Sequence, residues 1–165
     1  MPTRRQYLTA LAGGLAVGTI ARADDIRRYK NRSSLRFLTA PEQFVQPEKT
    51  KHTPNLRYFI RRFTQRTDPA YGLYDVVTDV ETVQRTKEGD CADLANFVAS
   101  WLLYRRDTDV QLLVLRPTAE IAQAHVAVIN EDHVYDATGH YRSVDQYVDY
   151  FSMKPVARTT IRQTG

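Results

Sequence analysis

The chain holds one cysteine, Cys91, which follows directly on Gly89-Asp90 and opens an apolar helical stripe. That position sets a thiol at the first turn of a helix. Unpaired amides and the helix dipole favour an anion there, which lowers the thiol pKa and raises the thiolate fraction. The neighbouring Asp90 and Asp93 oppose the effect, so activation needs a basic partner. His125 is the candidate, since an imidazolium beside a thiolate is the usual pairing for a nucleophilic cysteine. Asp136 adds a carboxylate within reach of that imidazole.

The reach depends on a hairpin. Residues 124–129 and 133–137 read as two strands joined at Asn130-Glu131-Asp132. A two-residue turn at Asn130-Glu131 sets Ile129 opposite Asp132 and His125 opposite Asp136. Opposed side chains on one face have Cβ atoms about 4.5–5.5 Å apart, close enough for a carboxylate to hold an imidazole N–H. A three-residue turn would oppose His125 to Ala137 instead. A mixed metal site from Cys91, His125, His133 and His140 is the competing chemistry, but the spacings contain no tight ligand pair. In the favoured register His133 faces away from His125, and His140 follows Gly139 on a solvated loop.

The elements that must position these groups are legible from capping signals and period. Thr53-Pro54 is a helix start, and Leu56, Phe59, Ile60 and Phe63 form one stripe on a helix ending near Arg66. Asp68-Pro69 breaks it. Tyr71 to Val77 is an aromatic and β-branched run, and Thr78-Asp79-Val80-Glu81 is a capping box for a short helix over 79–87 that stops at Gly89. The next helix is capped by Asp90, buries Leu94, Ala95, Val98, Trp101 and Leu102, and runs to about Arg106. A strand over 110–115, ended by Pro117, precedes the hairpin. A last helix from Val144 to about Phe151 and a basic tail follow it. Residues 24–52 read as a basic irregular arm with one short strand near Leu35–Leu38. Helices first and an antiparallel sheet second define an α+β domain, with N-terminal helices packed on the sheet.

Gly89-Asp90-Cys91-Ala92-Asp93-Leu94-Ala95, then Ala124-His125-Val126-Ala127-Val128, then Val134-Tyr135-Asp136-Ala137-Thr138, resembles the transglutaminase-like superfamily of papain-related Cys–His–Asp enzymes. The resemblance spans roughly residues 78–139, and its Asp-Ala-Thr ending matches the family's Asp-x-Thr. It implies a transglutaminase-like, papain-like core over residues 53–165. It also implies Cys91 as nucleophile, His125 as base and acid, and Asp136 as orienting carboxylate, with no cofactor and no metal. The substrate would be a protein or peptide amide, attacked to form a thioester that water or a second amine resolves. The oxyanion needs two donors: the Cys91 amide is one, and Gln84, Tyr71 and Tyr74 are candidates for the other. Two departures bear on the substrate groove: Val126 stands where an aromatic is usual, and Val134-Tyr135 where a tryptophan is common. The family also has members that keep the fold and lose the activity. A catalytically inactive binding or structural domain is therefore the alternative.

With 165 residues, 42% hydrophobic and 25% charged, the chain is an ordinary globular size and composition. One cysteine excludes a disulfide scaffold. Residues 1–23 read as an export signal of the twin-arginine type. Arg4-Arg5 precede an apolar stretch from Leu8 to Ile20, and Ala21-Arg22-Ala23 is a cleavage site. The expected location is extracytoplasmic, with an uncleaved membrane anchor as the variant. The net charge of +4 is mostly targeting charge, because Arg4, Arg5 and Arg22 lie in the signal without an acid. A nearly neutral mature chain with no nucleic-acid motif does not favour nucleic acid as a partner. Arg57, Arg61, Arg62 and Arg66 sit on the polar side of the first helix, either as a solvated face or as a contact for an acidic surface.

Overall fold

The computed structural model describes residues 34–66, 76–105, 107, 109–117 and 125–161. Residues 1–23, expected to be an export signal, and Tyr71 and Tyr74 lie outside the described residues. The fold is α+β, with helices packed on an antiparallel five-stranded sheet of order β6-β5-β4-β3-β7. Its strands are β3 (Val110–Pro117), β4 (His125–Asn130), β5 (His133–Asp136), β6 (Gly139–Tyr141) and β7 (Met153–Thr160). Alternation divides the central strands between two cores. Val110, Leu112, Val126 and Val128 point to the larger one, and Leu113, Leu115, Ala127 and Ile129 to the smaller.

The larger core is filled by α4 (Cys91–Tyr104), whose residues from Ala92 to Ser100 are all buried. α3 (Val80–Thr86) and α2 (Leu56–Arg61) pack beside it, Phe59 stacking on Phe97 at 3.9 Å between centroids. The smaller core is closed by α5 (Val144–Phe151), which buries Tyr147 completely. Among the described residues, no helix is long and apolar enough to cross a membrane.

Several expectations are corrected. The segment around Leu35–Leu38 is a helix, α1 (Ser34–Thr39), not a strand. Two short 3₁₀ turns follow it, Pro41–Gln43 and Pro47–Thr50. Phe37 is fully buried and meets Phe44 edge-on at 5.6 Å, so this stretch belongs to the core. Two polar bonds fasten it to α4: the Gln46 amide donates to Ser100 Oγ at 2.9 Å, and Trp101 Nε1 donates to the Thr53 carbonyl at 2.6 Å. α2 is also shorter than its stripe suggests. Asn55, not Thr53, caps it by accepting from the Tyr58 amide at 2.9 Å. Its end is set by β1 (Thr64–Gln65), which pairs in parallel with β2 (Glu88–Gly89). The basic tail contains β7, an outer strand paired with β3 and bulged opposite Val114/Leu115.

The start of α4 is tightly specified by reciprocal capping. Asp90 Oδ1 accepts from the amides of Ala92 and Asp93 at 2.8 and 2.9 Å, while Asp93 Oδ2 accepts from the Asp90 amide at 3.0 Å. Asp93, 2% exposed, uses its other oxygen to take the Thr78 amide at 2.5 Å. Gly89 must be glycine on two counts: its φ is +157°, and an added Cβ would lie 2.4 Å from Asp93 Oδ2. Gly139 has a similar φ of +148° but open space around it. Gly139→Ala should therefore carry only backbone strain, about 1–2 kcal/mol. Gly89→Ala adds a clash and should cost about 3 kcal/mol or more. Urea-unfolding midpoints of the two variants check this, and equal losses would contradict the steric account.

Candidate active site

Cys91 is the first residue of α4, held in place by the reciprocal capping of Asp90 and Asp93. These carboxylates, expected to oppose a thiolate, are occupied by backbone amides at 2.5–3.0 Å. His125 opens β4, and Cys91 lies near enough to raise the pKa of its imidazole. His125 Nε2 lies 3.3 Å from Asp136 Oδ2. The structure thus brings Cys91, His125 and Asp136 together in one cluster. Asp136 engages Nε2, so Nδ1 is the ring nitrogen left for the thiol.

The register that delivers this contact differs from the expected one. The turn is Glu131-Asp132, with Glu131 at φ +54°, and Asn130 pairs with His133, Ile129 with Val134 and Val128 with Tyr135. Relative to expectation the partner strand has slipped by two residues. A slip of two preserves the face, because side chains alternate with period two. His125 therefore meets Asp136 diagonally, not directly opposite. The paired ladder also ends at Val128 and Tyr135, so His125 through Ala127 lack a β5 partner in the register.

Asp136 is only 3% exposed and is the most heavily bonded side chain of the site. Its Oδ1 accepts from the Thr138 amide at 2.8 Å, the Thr138 hydroxyl at 2.6 Å and the Gly139 amide at 3.1 Å. Its Oδ2 accepts from the Tyr147 hydroxyl at 2.5 Å, on the same oxygen that faces His125. Thr138 spends its only hydroxyl proton on Asp136, so Tyr141, 2.8 Å away, donates to Thr138. Burial works against ionisation of Asp136, but the donors His125, Thr138 and Tyr147 outweigh it and hold the carboxyl below its usual range. Burial likewise works against a charged His125. The hydrogen bond to Asp136, with further support from nearby Cys91, overcomes it and brings the imidazole up to about 9. At neutral pH His125 carries its proton.

Tyr147 is the site residue that sequence reasoning missed. Its signal was a phenol on the buried stripe of α5, between Val144 and Phe151, because a buried hydroxyl requires a partner. Burial, and then the charge of Asp136, push its own ionisation far up, so it acts as a donor only. Of the candidate oxyanion donors, Gln84 gives its amide to Thr53 Oγ1 at 2.8 Å, and Tyr71 and Tyr74 lie outside the described residues. His140 lies not on a loop but on strand β6, stacked between His133 and Tyr135 at 5.0 and 4.8 Å. Among the described residues, no group of three or more His, Cys, Asp or Glu side chains is arranged to hold a metal ion. Comparison with protein-family models finds no match, and no curated protein matches the chain.

A histidine titrates near ~6.5 in an unfolded chain and near 9 here. The stability that His125 contributes is therefore full below about pH 6.5 and is lost as the pH rises through 9. Stability should fall by on the order of 2–3 kcal/mol across that window. Urea titrations at pH 6, 7.5 and 9 check this, and His125→Gln should lose the slope.

Proposed function

We propose that the protein is a thiol-dependent amide hydrolase or acyl transferase of the transglutaminase-like kind. Cys91 is its nucleophile, His125 its acid and base, and Asp136 the carboxylate that orients the imidazole. The observation carrying this reading is the contact of His125 with a buried, multiply held Asp136, with Cys91 near enough to raise the pKa of the same imidazole. A capped helix with a cysteine at its first turn, packed against strands that bear His and Asp in that order, also supports it. The finer fold assignment, a transglutaminase-like core, rests on the same sequence motifs and this element order.

In the proposed reaction the Cys91 sulfur attacks a carboxamide carbon. The tetrahedral oxyanion takes a hydrogen bond from the Cys91 amide, which no described residue accepts and which sits one residue ahead of the pair capped by Asp90. His125, protonated and held through Nε2 by Asp136, delivers a proton from Nδ1 to the departing amine. A thioester on Cys91 and a free amine result. Water or a second amine then attacks the thioester, giving up its proton to His125, and the thiol is regenerated.

The test is the rate of Cys91 alkylation by iodoacetamide as a function of pH. His125→Ala should slow labelling at pH 7 by about tenfold or more, with Asp136→Asn between it and the wild type. Slow labelling that ignores His125 in the folded protein would overturn the enzyme reading and leave a binding or structural domain. A substrate screen with glutamine-containing peptides, with and without hydroxylamine, then separates water from amine as acceptor.

A further inference from the structure

The four arginines of the α2 region do not act alike. Arg62 stacks over the Tyr58 ring at 4.4 Å, and Arg66 pairs with Glu88 at 2.8 Å. Arg57 and Arg61, one helical turn apart on α2, have no ion-pair partner among the described residues. Both line a cavity of about 300 Å³ between α2 and the β5–β6 turn, together with Ile60, Thr138, Gly139, His140 and Tyr141. No carboxylate is among the described lining residues. The cavity thus sets two guanidinium groups and an imidazole around an apolar floor at Ile60, which is 3% exposed. Burial, followed by the charges of His133, Arg57 and Arg142, holds His140 below its ordinary value, as expected in a field of positive sign.

The cavity wall also adjoins Asp136. Thr138 and Gly139, which form part of its wall, are the residues whose hydroxyl and amides hold Asp136 Oδ1. We propose that this cavity is a substrate subsite of the Cys91 centre, binding a carboxylate side chain of an acidic peptide between Arg57, Arg61 and His140. This inference rests on the thiol-enzyme reading above. Guanidinium groups suit the task, because a planar fork can give two parallel N–H bonds to one carboxylate. Two neighbouring hydroxyls are used already, Thr138 donating to Asp136 and Tyr141 to Thr138, which leaves the two arginines and the His140 imidazole to meet the carboxylate.

The experiment uses the full chain and two fluorescein-labelled peptides. One alternates glutamate with glutamine, and the other carries glutamine at every position. Anisotropy should show binding of the acidic peptide and at least tenfold weaker binding of the neutral one. Arg57→Gln/Arg61→Gln should lose about the same factor, and Arg57→Lys/Arg61→Lys should recover part of it. Saturating acidic peptide should also slow iodoacetamide labelling of Cys91 at least threefold, each variant being compared with its own rate without peptide. Equal binding of the two peptides, or an unaltered double variant, would overturn the subsite. So would binding that leaves Cys91 labelling unchanged, since the peptide would then sit elsewhere. An oligothymidylate of equal charge that competes as well as the acidic peptide would also overturn it, in favour of a general polyanion surface. Anisotropy needs no chemistry at Cys91, so failure of the enzyme reading appears separately, as labelling indifferent to His125.

Discussion

The first turn of α4 is the constraint on which the rest of the site depends. Two carboxylates, four backbone amides and one glycine occupy a space that admits a single arrangement. Asp90 and Asp93 each take the amide of the other, Asp93 reaches across to Thr78, and Gly89 leaves room for its carboxylate. The consequence is a fixed origin for the helix. Cys91 cannot shift along the axis without breaking bonds to a buried carboxylate, and those losses are expensive in a core. Everything the thiol meets is therefore brought to it by other elements.

Those elements converge on Asp136. Its two oxygens collect donors from the turn after β5, from α5 and from His125. The division of labour is uneven: Oδ1 is saturated by the local turn, whereas Oδ2 is shared between a short bond from Tyr147 and a longer contact with His125. Tyr147 thus sets where the acceptor stands, and the imidazole adjusts to it. A carboxylate fixed in this way keeps its charge in spite of burial, which in turn keeps the imidazole charged.

How much of this was legible in the sequence varied with the strength of the local signal. The cap at Asp90, the long stripe of α4, the strand over 110–115 and the bounds of α5 could be read because each carries a period or a capping residue. β7 could not: most of its side chains are solvated, it includes Pro155, Lys154 and Arg158, and an outer strand without a buried face has no alternation to detect. β1 and β2 are two residues each, too short for any pattern. α1 was read as a strand because the few apolar residues around Leu35–Leu38 did not declare a period. The three clustered side chains can be picked out by their types and order, but the hairpin register expected from the sequence differs by two from the one observed. Proximity survived only because that error is even. Tyr147 stayed hidden because a phenol on a buried stripe looks like core until its hydroxyl has a partner.

The order of the elements along the chain has a temporal meaning. During synthesis from the N-terminus, α4 can form and cap itself once Asp93 and the following turns have emerged, because the amides of Thr78, Asp90, Ala92 and Asp93 that its two carboxylates accept are all made by then. The thiol's partners come later: His125 is 34 residues behind Cys91, and Tyr147 arrives 22 residues after that. Until α5 docks, Asp136 lacks one of the donors that keep it charged inside the protein, and the imidazole lacks a settled acceptor. A nascent or truncated chain ending before α5 would display its cysteine on a formed helix with an unfinished neighbourhood. The fold thus ties completion of the surroundings of Cys91 to the arrival of α5, an ordering that separates the making of the helix from the settling of its neighbours.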